Sequence, residues 1–301
     1  MTTLDSLIIK AASKQDPVVA VASAADREVL EAVNMAIEKG IASFMLFDDE
    51  KRMKDMIETH FPRLSDEAKV SFHHAKDNVD AATLAVKAVS SGLATVLMKG
   101  NLATSVILKA VLNGEFGLRS GKVLSHVAAF EVPGYDRLLF VTDAAMNIAP
   151  DLGAKAQIIR NAVDTAHACG ITEPIVAPLA AVETVNPAMI PTTDAASLVV
   201  MNRRGQITGC IVDGPLALDN AVSKEAAGQK GITGETAGKA DILVVPNIEA
   251  GNILYKSLMY FANAKVGAVI QGAKAPIVLT SRADSAESKL YSLALAILTT
   301  K

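Results

Sequence analysis

Ser281 and Arg282 stand between a strand-like run and the last helical run of the chain, a place where an α/β protein can hold an anion. Backbone N–H groups at a helix N-terminus lack intrahelical acceptors and carry the positive end of the helix dipole, and a guanidinium adds a fork of donors shaped for phosphate. Just beyond, Asp284 and Glu287 are spaced Asp-x-x-Glu ahead of an apolar-periodic run. That spacing fits a reciprocal helix cap. A second candidate is Lys99-Gly100-Asn101, which follows a strand and opens a helix. Gly100 lets the backbone turn, and amides there face outward to an anion. Asn101, Ser105 and Lys109 recur at i, i+4 and i+8, on one helix face, where the alternative is a solvated polar surface.

Two further groups lie at strand ends, where α/β sheets collect ligands. Asp143 and Asn147 follow the strand at 138–142, either as site residues or as caps of the next turn. Asn247, Gly251, Asn252 and Lys256 lie on another strand-to-helix connection, where Gly251 allows close backbone approach; they shape a substrate cleft or a subunit contact. The five histidines show no ligand spacing with acidic residues, so no metal is expected. Cys169 and Cys210 form neither a CxxC nor a CxH pattern, which leaves them as core thiols in a reducing cytoplasm.

The elements that must position these residues alternate. Strands are predicted at 17–22, 43–47, 69–72 and 95–98, with helices at 26–39, 48–60, 77–91 and 102–112 between and after them. Apolar strands that do not alternate, such as 17–22, call for a mostly parallel sheet covered on both faces. After Lys122 come close strands at 123–131 and 138–142 joined through Pro133-Gly134, which reads as a hairpin. Then follow helices at 155–169, 193–203 and 249–262, strands at 173–177, 209–213, 241–245 and 267–271, a short strand at 276–279, and a closing helix at 285–298. The glycine-rich stretch 226–238 reads as a mobile surface loop, since a strand follows it where a phosphate loop needs a helix. The expected domains are a first α/β lobe of residues 1–126 plus 275–301 and a second of residues 127–274.

Half of the 301 residues are hydrophobic, only 4% are aromatic and tryptophan is absent, so the cores are built from Ala, Val, Leu and Ile. A net charge of -3 gives no basic surface for DNA or RNA. The run 4–12 is an amphipathic helix broken by Ser6 and Lys10, and no later segment reaches the roughly 18 apolar residues of a membrane span; a soluble, unexported protein without a membrane partner is expected.

Beside Ser281-Arg282, the motifs Pro246-Asn247, Gly251-Asn252, Gln271-Gly272 and Pro276 resemble those of the phosphate acetyl/butyryltransferase family. Glu131-Val-Pro-Gly-Tyr-Asp136, Thr142-Asp-Ala-Ala-Met-Asn147 and Val212-Asp-Gly-Pro-Leu-Ala-Leu-Asp219 place the likeness on the butyryl-transferring side, over nearly the whole chain. The resemblance implies a two-lobed fold like that of the isocitrate and isopropylmalate dehydrogenases, with an active site in the cleft between lobes and a homodimer or larger assembly formed through the second lobe. It implies transfer of a short acyl group from coenzyme A to inorganic phosphate in a ternary complex, with these two molecules as substrates and no other cofactor. Ser281 would hydrogen-bond the coenzyme A sulfur and Arg282 would hold phosphate and steady the tetrahedral intermediate. Gln271 and Gly272 would line the substrate site. Two departures stand out: Ser288 occupies the position of the acetyl branch's aspartate base, which leaves Glu287 and Asp284 as candidates for either base or cap, and Lys109 replaces an arginine, losing a bidentate fork. The alternatives are acetyl transfer, a nicotinamide-dependent dehydrogenase on the same fold, for which the acidic metal cluster and cofactor loop are missing, and a binding protein without catalysis.

Overall fold

The computed structural model describes residues 3–281 and 284–300. In chain order its elements are α1 (Leu4–Ala11), β1 (Val18–Ala22), α2 (Arg27–Glu38), β2 (Ser43–Asp48), α3 (Glu50–His60), a 3-10 turn (Pro62–Leu64), β3 (Val70–His74), α4 (Asn78–Ser90), β4 (Val96–Lys99) and α5 (Thr104–Val111). There follow β5 (Ser125–Glu131), β6 (Leu139–Thr142), α6 (Leu152–Cys169), β7 (Ile175–Pro178), α7 (Ile190–Arg203), β8 (Ile211–Val212), α8 (Leu218–Val222), α9 (Lys224–Gln229), β9 (Ile242–Val244), α10 (Ile248–Tyr260), β10 (Lys265–Gln271), β11 (Ile277–Val278) and α11 (Ala286–Leu298). The chain divides into two compact units, one of Leu4–Lys122 with Gly267–Lys301 and one built on Val123–Val266. Among the described residues no helix is long and apolar enough to cross a membrane.

The first unit carries strands in the order β3-β2-β1-β4-β11-β10. All its pairs are parallel except β10 with β11, and Val19 sits between Phe44 of β2 and Val96 of β4. Asp26, Asp49 and Asp77 each accept a backbone N–H from the first turn of α2, α3 and α4, so the aspartate after each strand ends the strand and starts the helix. Every residue of α11 except Glu287 is buried, and the helix packs on α1, α2 and β11. A helix apolar on all sides belongs inside a domain, and three polar residues inside it, Ser288, Lys289 and Ser292, need a local reason.

The second unit orders its strands β5-β6-β9-β7-β8, parallel apart from the β5–β6 hairpin. In the hairpin loop Gly134 has φ +82° and Tyr135 N donates to Val132 O at 3.0 Å, which makes Val132–Tyr135 a tight turn with proline and glycine at its centre. The mixed α/β architecture with a mostly parallel sheet is the one expected from the alternating elements. The stretch 226–238 is not the free loop predicted for it. Ser223 caps α9, whose Ala227 is fully buried, and Gly238 N donates to Asn220 O at 3.0 Å. A Cβ on Gly238 would lie 2.2 Å from Lys224 N, so here glycine serves close packing as well as its φ of +67°. Helix starts also moved: α6 begins at Leu152, three residues before the predicted start, because Asp151 accepts from Ala154 N at 2.7 Å, and α5 begins at Thr104, past the turn that Gly100 makes.

Candidate active site

At the start of α11 the local hydrogen bonding differs from the predicted capping box. The N-cap is Ser285, whose Oγ accepts from Ser288 N at 3.2 Å. Asp284 turns the other way: its Oδ2 accepts from Ser281 N at 2.7 Å, while its own N–H donates to Ser281 O at 3.2 Å. The Asp284 carboxylate thus closes the turn that presents the exposed Ser281. Glu287 is not the reciprocal partner of Asp284. Its Oε1 lies 3.0 Å from Tyr291 Oη, which is also 2.9 Å from Asp5 Oδ1. A phenol has one proton, so the hydroxyl serves one of these carboxylates at a time, and the arrangement fastens α11 to α1. Arg282 lies outside the described residues.

On the neighbouring strand, Gly100 N donates to Ala22 O and Asn101 N to Ser23 O, both at 2.8 Å. These amides are therefore not free for an anion, contrary to the expectation from the sequence. Gly100 is required for a different reason. A Cβ there would sit 2.1 Å from Ser23 O and 2.7 Å from Ala22 O, backbone atoms that have no rotamer to yield. Gly100→Ala is expected to lower stability by about 1–3 kcal/mol, the usual cost of overpacking, and to reduce turnover of the remaining folded protein by displacing Asn101; a thermal melt with an activity measurement on the purified variant checks both.

Ser281, Gly100 and Asn101 meet at one pocket, whose other described lining residues are Asp26, Val29, Lys99, Thr280 and Lys289. Lys99 and Lys289 are 5% and 3% exposed. Lys99 Nζ donates to Gly100 O at 3.2 Å and Thr280 O at 3.3 Å, and Lys289 Nζ donates to Asp284 O. The lining also includes the carboxylate of Asp26, one oxygen of which accepts from Val29 N at the start of α2. Sequence reasoning named Lys99 only as part of the Lys99-Gly100-Asn101 motif and passed over Lys289. The signal was there for Lys289, a lone cation inside an apolar run too long to leave it a solvent face. Ser105 and Lys109 are exposed on α5 and do not line this pocket. Gln271 and Gly272 end β10 outside it as well; Gly272 has φ +92° and its carbonyl accepts from Ser120 Oγ, while Gln271 Nε2 is buried with no hydrogen-bond partner.

The second unit brings its candidates into a separate cluster. Asp143 is 3% exposed; Oδ1 accepts from Ala145 N and Met146 N at 3.0 and 2.9 Å, and Oδ2 from Asn147 Nδ2 at 2.6 Å. Asn147 Nδ2 also reaches Leu124 O at 2.8 Å. These bonds fix the loop after β6. Asn247 caps α10 through Ala250 N, Asn252 is exposed, and a Cβ on Gly251 would lie 2.8 Å from Asp143 O, so glycine lets α10 rest on that loop. Burial pushes the Cys210 thiol up to about 11, with Glu173 adding to the shift, so it is no thiolate nucleophile near neutral pH. Among the described residues no group of three or more His, Cys, Asp or Glu could hold a metal.

The geometry is that of an α/β protein with a small pocket at the C-terminal end of β4 whose lining includes Lys99 and Lys289. Residues 48–297 match the family described as "Phosphate acetyl/butaryl transferase". The chain is 59% identical over 294 residues to a probable phosphate butyryltransferase of Bacillus subtilis, covering 98% of this chain and 97% of that protein. It is 52% identical over 280 residues to the phosphate butyryltransferase of Clostridium beijerinckii, covering 93% and 92%. A solved branched-chain phosphotransacylase from Enterococcus faecalis superposes with a TM-score of 0.82 at 38% identity, covering 94% of this chain and 98% of that one. The chain belongs to the phosphate acetyl/butyryl transferase family.

Proposed function

We propose that the protein catalyses reversible transfer of a butyryl or similar short-chain acyl group from coenzyme A to inorganic phosphate, giving butyryl phosphate and free coenzyme A. What carries the reading is likeness over nearly the full chain to a phosphate butyryltransferase and a probable one. Both substrates bind together, and a phosphate oxygen attacks the thioester carbonyl carbon. The tetrahedral intermediate collapses with cleavage of the C–S bond, the electron pair stays on sulfur, and the proton released by phosphate ends on the thiol. Ser281 hydrogen-bonds the sulfur, Arg282 holds phosphate and the developing oxyanion, and the protein supplies positioning and charge. No further cofactor takes part.

Assembly is as a homodimer or larger homo-oligomer through the second unit. Its support is α10, in which only Gly251 is buried, while Ile253, Tyr260 and the adjoining Phe261 are 66%, 72% and 87% exposed. A cytoplasmic location fits two buried cysteines that form no disulfide.

The test is an initial-rate assay of thiol release. Coenzyme A should leave butyryl-coenzyme A only when phosphate is present, and acetyl-coenzyme A should react more slowly. Equal release without phosphate would mean a thioesterase, and a preference for acetyl would move the protein to the acetyl-transferring side of the family.

A further inference from the structure

We infer that Ser23 is a positioning residue for the reaction: from the end of β1 it fixes the Gly100-Asn101 turn after β4, with Asn78 at the start of α4 as its brace, an inference that rests on the acyl-transfer reading. The strand order β3-β2-β1-β4 makes the edge between β1 and β4 a switch point, since β2 and β3 lie on one side of β1 and β4 on the other. The chain segments leaving the two strands diverge there, and open α/β sheets bind ligands in such a crevice. Asn101 stands at this edge and lines the pocket beside Ser281. Its N–H is committed to Ser23 O at 2.8 Å, as that of Gly100 is to Ala22 O, so Asn101 has its side chain to offer a substrate. Where that side chain stands is set by the backbone of Ser23.

The conformation of Ser23 is costly. Its φ of +57° lies in the left-handed region, which side chains other than those of asparagine and aspartate rarely enter, and the residue is 1% exposed. Such a conformation persists only where the surroundings over-determine it, and it concentrates at functional sites. Two neighbouring elements do so here. Ser23 N donates to Phe47 O at 2.8 Å, Ala24 N to the same carbonyl at 3.3 Å and Ala25 N to Asp48 Oδ2 at 2.8 Å, which ties the corner to β2. Ser23 Oγ donates to Asn78 Oδ1 at 2.9 Å, which ties it to the first residue of α4. Glycine would adopt the same φ without strain but has no hydroxyl. What serine adds is the bond to Asn78. The facing side is equally tight: a Cβ on Gly100 would lie 2.1 Å from Ser23 O, so a shift of Ser23 passes directly to the turn that carries Asn101.

Ser23→Gly keeps the backbone conformation accessible and deletes the hydroxyl, while Asn78→Ala deletes its acceptor at an exposed position where little packing is lost. In both variants, hydrogen exchange followed by mass spectrometry should show lost protection in peptides that carry the Gly100 and Asn101 amides. The kcat/KM for butyryl-coenzyme A should fall roughly ten- to a hundredfold, as expected when a group that positions substrate is misplaced. The double variant should be no slower than the slower single one, because both changes break the same contact. Unchanged exchange at Gly100 and Asn101 in the folded variants would overturn the inference. So would unchanged turnover in variants whose exchange does change, since the corner would then serve stability alone. Losses that multiply in the double variant would also count against it, because the two side chains would then act separately. A parent protein that releases no coenzyme A in the presence of phosphate would refute the acyl-transfer reading, and the exchange data would still decide whether Ser23 and Asn78 fix the turn.

Discussion

Arg282→Ala should lose about 10²–10³ in kcat, the loss found when one donor to a developing oxyanion is removed. The expectation follows from the place of Arg282 in the chain, directly after Ser281 and ahead of α11, whose N-terminal amides and dipole favour negative charge. A guanidinium there adds two parallel donors to what the helix end provides. Arg282→Lys should recover little, because a point charge does not reproduce the fork. Steady-state kinetics on the folded variants decide the matter, and turnover within about threefold of the parent protein in Arg282→Ala would remove this residue from the reaction.

Asp284 and Glu287 are separated by a second substitution series. The sequence allowed either carboxylate to be the base or half of a cap; the structure gives the cap to Ser285, ties Asp284 to Ser281 N at 2.7 Å, and ties Glu287 to Tyr291 at 3.0 Å. Asp284→Ala should therefore cost turnover roughly ten- to a hundredfold, since a charge-assisted hydrogen bond that sets the Ser281 backbone is lost. If Asp284 acts by positioning, Asp284→Asn should restore most of that rate, because an amide oxygen still accepts from Ser281 N. If it is the base, the asparagine variant should be as slow as the alanine one and its pH profile should lose the carboxylate limb. Glu287→Gln should change the melting temperature through the Tyr291 contact and leave turnover per folded molecule unaltered. A large rate loss in Glu287→Gln at unchanged stability would contradict this division of roles.

Much of the fold could be read from local rules. Strands such as Val18–Ala22 and Val96–Lys99 are short apolar runs followed by turn residues, and Asp26, Asp49 and Asp77 announce the helices they cap. The misreadings have physical causes. The start of the 226–238 stretch is helical because Ser223 caps it and Ala227 finds a buried seat, and burial is a tertiary event that glycine content does not report. The cap of α11 fell one residue late because Asp284 and Ser285 are both good N-caps, and the choice depends on Ser281 offering its N–H to Asp284. The site was legible where a motif names its residues, as at Ser281 and Gly100. Lys99 and Lys289 come from opposite ends of the first unit's sequence and acquire meaning only when β4 and β11 pair through Ile277 opposite Leu97, bringing Thr280 and Gly100 to the same sheet end. At the strand end after β6, the sequence marks Asp143 but not the bonds it makes, to two backbone amides and Asn147.

The central claim, attack of phosphate itself on the thioester, is tested most directly by watching phosphorus. Butyryl-coenzyme A and phosphate incubated with the protein, followed by 31P NMR alongside a thiol assay, should give an acyl phosphate resonance that grows in one-to-one proportion with free coenzyme A, and adding coenzyme A to isolated butyryl phosphate should run the reaction backward. Free thiol appearing with butyrate and no acyl phosphate would contradict the account.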